Sequence, residues 1–185
     1  MISFGAKYIN SVNIQKINRN NDLVEQCRVS CVELDPECDE DIDAMADIAE
    51  RWDSYWKFPE LIFNCMKYYS KYNDKLEGNK FYALTAQTKH FTCLQPSEVL
   101  AVCQLDEESD DTVKLKYLEV KPDNVGLVKK PYEYNHVGSG VLNALKNIFS
   151  GKRIRLFSTP TAVEFYKANN FSESGTACSE MHYDA

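Results

Sequence analysis

Apolar residues along this chain change their spacing near residue 80. Upstream, Ile42, Met45, Ala49, Trp52 and Trp56 recur every three or four positions, as do Ile62, Cys65, Met66 and Tyr69. Each stripe predicts an amphipathic helix with one buried face. Asp39, Glu40 and Asp41 place negative charge at the start of the first helix, where the helix dipole favours it. Pro59 suits the first turn of the second, which ends near Tyr72. Ile9, Val12, Ile14 and Ile17 predict an opening strand over Lys7 to Ile17, and Leu23, Cys27 and Cys31, four apart, predict a helix from about Asp22. On this reading the first 75 residues are mostly helical after one strand.

Downstream the apolar runs are shorter and more often alternate. Phe81–Ala86 and Val99–Leu105 read as largely buried strands. Val113, Leu115 and Tyr117 alternate with Lys114 and Lys116 as far as Leu118-Glu119-Val120, a third strand joined antiparallel to the second through a polar turn at Asp106–Asp111. Val141, Leu142, Leu145 and Ile148 mark a helix that Gly151 ends. Ile154–Phe157 is a further strand, Thr159 and Pro160 open a helix as N-cap and first-turn residue, and Phe171–Tyr183 reads as a closing strand pair. The predicted class is α/β of the α+β kind: a central mixed, mostly antiparallel sheet flanked by helices, with an extended helical N-terminal part. No repeat or linker divides the 185 residues, so a single domain is expected over 1–185.

Composition narrows the function classes. A hydrophobic share of 44% excludes a disordered tail, and a net charge of −7 argues against a nucleic-acid partner. No run of about 20 apolar residues suggests a membrane span, and Met1–Lys7 lacks the order of a signal peptide, so a cytoplasmic protein is expected. The seven cysteines include no C-x-x-C pair, and no His completes a site with Cys27 and Cys31, so no metal is expected. Patterns of metalloproteases, serine hydrolases and P-loop enzymes are absent.

The stretch from Leu118 to Ile148 carries the chemistry. A strand, a loop with Gly138-Ser139-Gly140 and a helix make an anion site, because free N–H groups at a helix start attract phosphate and glycine lets it approach. Between Lys121 and Arg155, seven basic residues face two acidic ones, a balance of +5 that predicts positive charge focused at this loop.

The order of elements, the loop Asn135-His136-Val137-Gly138-Ser139-Gly140 and the run Ala162-Val163-Glu164-Phe165-Tyr166-Lys167-Ala168-Asn169-Asn170-Phe171 together resemble the GNAT family of N-acetyltransferases. Gly138 and Gly140 match the family's pyrophosphate loop; Ala162, Phe165, Tyr166 and Phe171 match its last helix. Asn135 stands where the family prefers Arg or Gln, and Asn170 replaces a Gly, although Asn is the next residue to tolerate a left-handed helix end. The 14 residues between Val120 and Asn135 exceed the usual connection of about five and could gate the site. The resemblance covers residues 80 to 172 well. It divides the domain into a strand and acceptor-side helices over 1–78 and an acetyl-CoA-binding core over 79–185.

The resemblance implies acetyl-CoA as co-substrate, with its pyrophosphate on the backbone of Asn135, His136, Val137, Gly138, Ser139 and Gly140 and its pantetheine arm along Leu118 and Val120, with a further contact at Thr159. An amine then attacks the thioester directly in a ternary complex. With a lysine-like pKa of about 10.4, only about one amine in a thousand is free at neutral pH, a penalty of roughly 4 kcal/mol, so a base is useful. Glu119 is the first candidate and Glu164 a weaker one. Tyr166 matches the position at which many members protonate the departing thiolate.

Glu33 to Glu60 holds eleven acidic residues against Arg51 and Lys57, which makes a small cationic amine or a basic peptide the expected acceptor. The rival class is a non-catalytic interaction module on the same fold, with or without bound CoA, that docks partners through its N-terminal helices. Many such proteins pair, which leaves a homodimer open.

Overall fold

Between residues 23 and 34, strand alternation wins over helical spacing. Positions four apart lie on one side of a helix, but also on one face of a strand, so Leu23, Cys27 and Cys31 satisfy both periods. The computed structural model, which describes residues 5–18, 23–52, 57–72, 78–87, 93–124, 133–174 and 179–184, resolves the choice. Strand β1 (Lys7–Asn18) pairs antiparallel with β2 (Leu23–Leu34), and the expected helix at Asp22 is replaced by this hairpin. The N-terminal part therefore supplies two long strands before its helices. Val29 and Cys31 face one core, Val32 and Leu34 another, which is why both faces of β2 are apolar at this end.

The next elements follow the predicted order. Helices α1 (Asp39–Arg51) and α2 (Phe58–Tyr72) precede β3 (Asn79–Thr85), β4 (Val99–Ser109) and β5 (Thr112–Val120). Trp52 caps α1, and Trp56 lies outside the described residues. The polar turn shrinks to Asp110-Asp111, because the strands on each side extend through ion pairs such as Lys114 to Glu108. A two-residue strand that the sequence pattern did not reveal, β6 (Tyr134–Asn135), pairs with β1 at Lys16 and Gln15. Helix α3 (Val137–Ile148), β7 (Arg153–Phe157), the short helix α4 (Val163–Ala168), β8 (Ser172–Glu173) and β9 (Glu180–Tyr183) complete the described elements.

One mixed sheet holds the strands in the order β6-β1-β2-β3-β4-β5-β7-β9-β8, and β5 with β7 is its parallel pair. Helix α3 packs on one face over Val12, Leu84, Leu105 and Leu115, and Val163, Phe165 and Tyr166 of α4 join that core. Helices α1 and α2 cover the other face with Met45, Ile48, Ile62 and Met66 over Val32, Phe81 and Val102.

Two irregularities open a site. Opposite β4, Gln104 pairs with Tyr117 but Leu105 pairs with Leu115, so Lys116 is an extra, bulged residue. A bulge bends its strand and ends pairing. Accordingly β5 pairs with β7 through Leu115 and Leu156 and no further, and the two strands part from there.

Gly140 has its own structural reason. A Cβ there would lie 2.7 Å from Cγ2 of the buried Ile14 and 3.4 Å from Cδ2 of Leu84, so α3 sits against the sheet at a distance that only glycine permits. Gly140→Val is expected to cost about 1–3 kcal/mol through overpacking, read as a lowered urea midpoint at unchanged slope.

Candidate functional site

Where β5 and β7 part, a cavity of about 570 Å³ opens, a volume suited to a small-molecule site. Leu118, Glu119 and Val120 form one wall; Phe157 and Thr159 stand across from them, with Phe58 of α2 at the sheet's other side. The start of α3 contributes His136, Val137, Gly138 and Ser139, and α4 contributes Phe165 and Tyr166.

Each wall has a local cause. His136 is the N-cap of α3 with φ of 60°, a left-handed backbone uncommon outside glycine, and its carbonyl accepts the N–H of Gly140 at 2.8 Å. The preceding amides of Val137, Gly138 and Ser139 have no partner among the described residues, and the first turn holds no acidic side chain. A Cβ on Gly138 would meet Phe165 Cζ at 3.0 Å and Val120 Cγ2 at 3.6 Å, so this glycine lets α3, β5 and α4 converge.

Tyr166 is held by the end of α4. Asn170 has φ of 65°, the N–H of Asn170 bonds Lys167 O at 2.9 Å, and the N–H of Phe171 bonds Tyr166 O at 3.0 Å, a Schellman termination with Asn in the left-handed place. The rings of Tyr166 and Phe171 stack edgewise at 5.7 Å. Burial, with Cys103 nearby, pushes the Tyr166 phenol up to about 12, so it stays protonated across the neutral range. Its hydroxyl has no hydrogen-bond partner among the described residues.

Glu119 faces the α1/α2 side of the sheet. It pairs across the strands with Val102, a member of the core under those helices, whereas Val120 pairs with Ala101 of the core under α3. Its carboxyl is half-buried without an ion-pair partner among the described residues, and burial raises its pKa to about 7.

The cavity thus brings together Leu118, Glu119, Val120, His136, Val137, Gly138, Ser139, Thr159 and Tyr166 of the residues expected from the sequence. It leaves three aside, among them Glu164, which is exposed on α4 and pairs with Lys167 at 3.5 Å. Gly140 is buried with its N–H engaged inside α3, and Asn135 is a strand residue opposite Gln15. Thr159 makes no capping bond; its hydroxyl pairs with that of Thr161 at 3.1 Å, and a short 3-10 turn over Pro160–Ala162 stands before α4. Phe58, Phe157 and Lys116 also line the cavity without having been expected. Phe58 and Phe157 look like core residues in sequence, and Lys116 reaches the wall through a bulge that alternation does not reveal.

Both charge patterns resolve differently from the sequence reading. Lys121 donates to Ser97 O, Lys146 to Asn169 O, Lys152 pairs with Glu107, Arg153 with Asp184, and Arg155 with Glu108. Lys129 and Lys130 lie outside the described residues, as does most of the segment between Val120 and Asn135 and with it any gate. Among the described residues positive charge is therefore not focused at α3, whose N–H groups and dipole attract anions. The described acidic residues of 33–60 are absent from the cavity wall, and Asp41, whose carboxyl burial raises to about 6, ties down the N–H of Asp35 at 2.8 Å. Among the described residues, no three His, Cys, Asp or Glu side chains gather to hold a metal.

No family model matches the chain, and no curated protein does so by sequence. Solved structures do. The PaiA N-acetyltransferase of Thermoplasma acidophilum in complex with coenzyme A aligns with a TM-score of 0.55 at 14% identity, over 85% of this chain and 99% of that one. An acetyltransferase of Thermus thermophilus gives 0.55 at 13% identity, over 84% and 94%. A Desulfovibrio desulfuricans protein assigned to the GNAT family gives 0.53 at 9% identity, over 83% and 94%.

Proposed function

We propose, from a chain that has the fold of the GNAT acetyltransferases, that it transfers an acetyl group from acetyl-CoA to a primary amine in a ternary complex. The observation that carries this reading is the convergence on one cavity of an unpaired strand edge, free leading amides of a helix, a carboxyl with a pKa of about 7 and a phenol held protonated. The residues fit acetyl-CoA. Beyond Leu115 the β7-facing edge of β5 has no ladder, so its backbone groups are available to amides of an extended pantetheine arm. The amides of Val137, Gly138 and Ser139 suit the pyrophosphate. Gly140 packs against Ile14, and Asn135 does not line the cavity.

Acetyl-CoA supplies the activated carbonyl. Glu119, on the amine side, accepts the proton that the amine loses as its nitrogen bonds to that carbonyl carbon. The carbon–sulfur bond breaks, the Tyr166 hydroxyl hands its proton to the departing thiolate, and exchange with solvent then reprotonates the phenol and takes the proton from Glu119. Two bound substrates held in register supply the remainder of the rate. The test is release of free thiol from acetyl-CoA on addition of a primary amine. Amine-dependent release is expected; binding of acetyl-CoA with no release for any amine would favour the interaction module.

A further inference from the structure

The amine-side rim combines one unpaired carboxyl with exposed aromatic surface and two lysines. Phe157 follows Leu156, which points into the core under α3, and so stands on the opposite face, the face of Glu119. It is 58% exposed, an unusual state for a phenylalanine at the wall of a cavity. Phe58 lines the same cavity with its ring 5.1 Å from Tyr117. Lys114 places its ammonium 5.1 Å from the Phe157 ring, and Lys116 lines the cavity; their carboxylate partners, Glu108 and Asp106, are 3.9 and 3.8 Å away.

We propose, resting on the transferase reading above, that the acceptor is a monoamine carried on an apolar or aromatic body: the amine meets Glu119 and the body covers Phe157 and Phe58. Charge complementarity selects against a polyamine or a basic peptide. Lys114 and Lys116 already hold Glu108 and Asp106, so a second cationic group finds, among the described residues, no acidic side chain lining the cavity besides Glu119. An apolar body removes the exposed Phe157 ring from water.

The test compares 2-phenylethylamine with spermidine as acceptors, while acetyl-CoA binding is followed by calorimetry. The phenylethylamine kcat/KM is expected to exceed that of spermidine at least tenfold. Phe157→Ala is expected to raise the phenylethylamine KM about tenfold with the acetyl-CoA Kd unchanged, and Phe157→Leu, which keeps apolar area, to restore most of it. Preference for spermidine, or an unchanged KM in Phe157→Ala, overturns this proposal while acetyl-CoA binding persists. Loss of acetyl-CoA binding by the intact chain overturns the transferase reading and this proposal together.

Discussion

Glu119→Gln is expected to lower kcat about 100-fold at pH 7.5 while leaving acetyl-CoA affinity intact, the order of effect of removing a positioned base. The pH profile separates this from a structural defect. With the carboxyl titrating at about 7, wild-type kcat at saturating amine should rise through neutral pH and then level, as Glu119 becomes able to accept a proton. The Gln variant lacks that step, and its rate should climb only as bulk solvent deprotonates the amine. Stability supplies an opposite sign. Folding raises this carboxyl from 4.5 to about 7, so the folded chain holds a proton that the unfolded chain releases, and stability declines as pH rises through that window. Glu119→Gln removes that loss and should melt at the same temperature as wild type or higher at pH 8. A variant both inactive and less stable at pH 8 would contradict the assignment.

Tyr166→Phe is expected to lower kcat by about 100-fold with little change in either KM. Burial keeps the phenol protonated across the neutral range, so its O–H is present to donate to the leaving sulfur. Because the hydroxyl bonds no described residue, its removal orphans no buried partner, and the edge-on packing with Phe165 and Phe171 persists. Unfolding midpoints should therefore agree closely. Equal kcat in wild type and Tyr166→Phe would return Tyr166 to a packing role.

Much of this architecture is readable from local patterns. The stripes of α1 and α2, the alternation of β5 and the left-handed Asn170 each have a short-range cause, and the structure bears them out. Strand β2 was hidden because a spacing of four fits both periods, and β6 because two residues carry no period at all. Gly138 and Tyr166, picked out by local motifs, both line the candidate cavity. The site was not legible where tertiary pairing decides. Lys152, Arg153 and Arg155 find distant partners in Glu107, Asp184 and Glu108, which a count along the chain does not show. Gly140, matched to a phosphate loop in sequence, also packs against Ile14, some 126 positions away, a contact no local pattern shows.

Acetyl-CoA is expected to bind in this cavity with its pyrophosphate at the start of α3, and calorimetric titration with acetyl-CoA of the intact chain and of Gly138→Glu is the decisive measurement. The intact chain should show saturable binding with a Kd of about 1–100 μM, weakened at least tenfold by a carboxylate among the leading amides. No heat of binding from the intact, folded chain, or equal affinity in the two proteins, would contradict it.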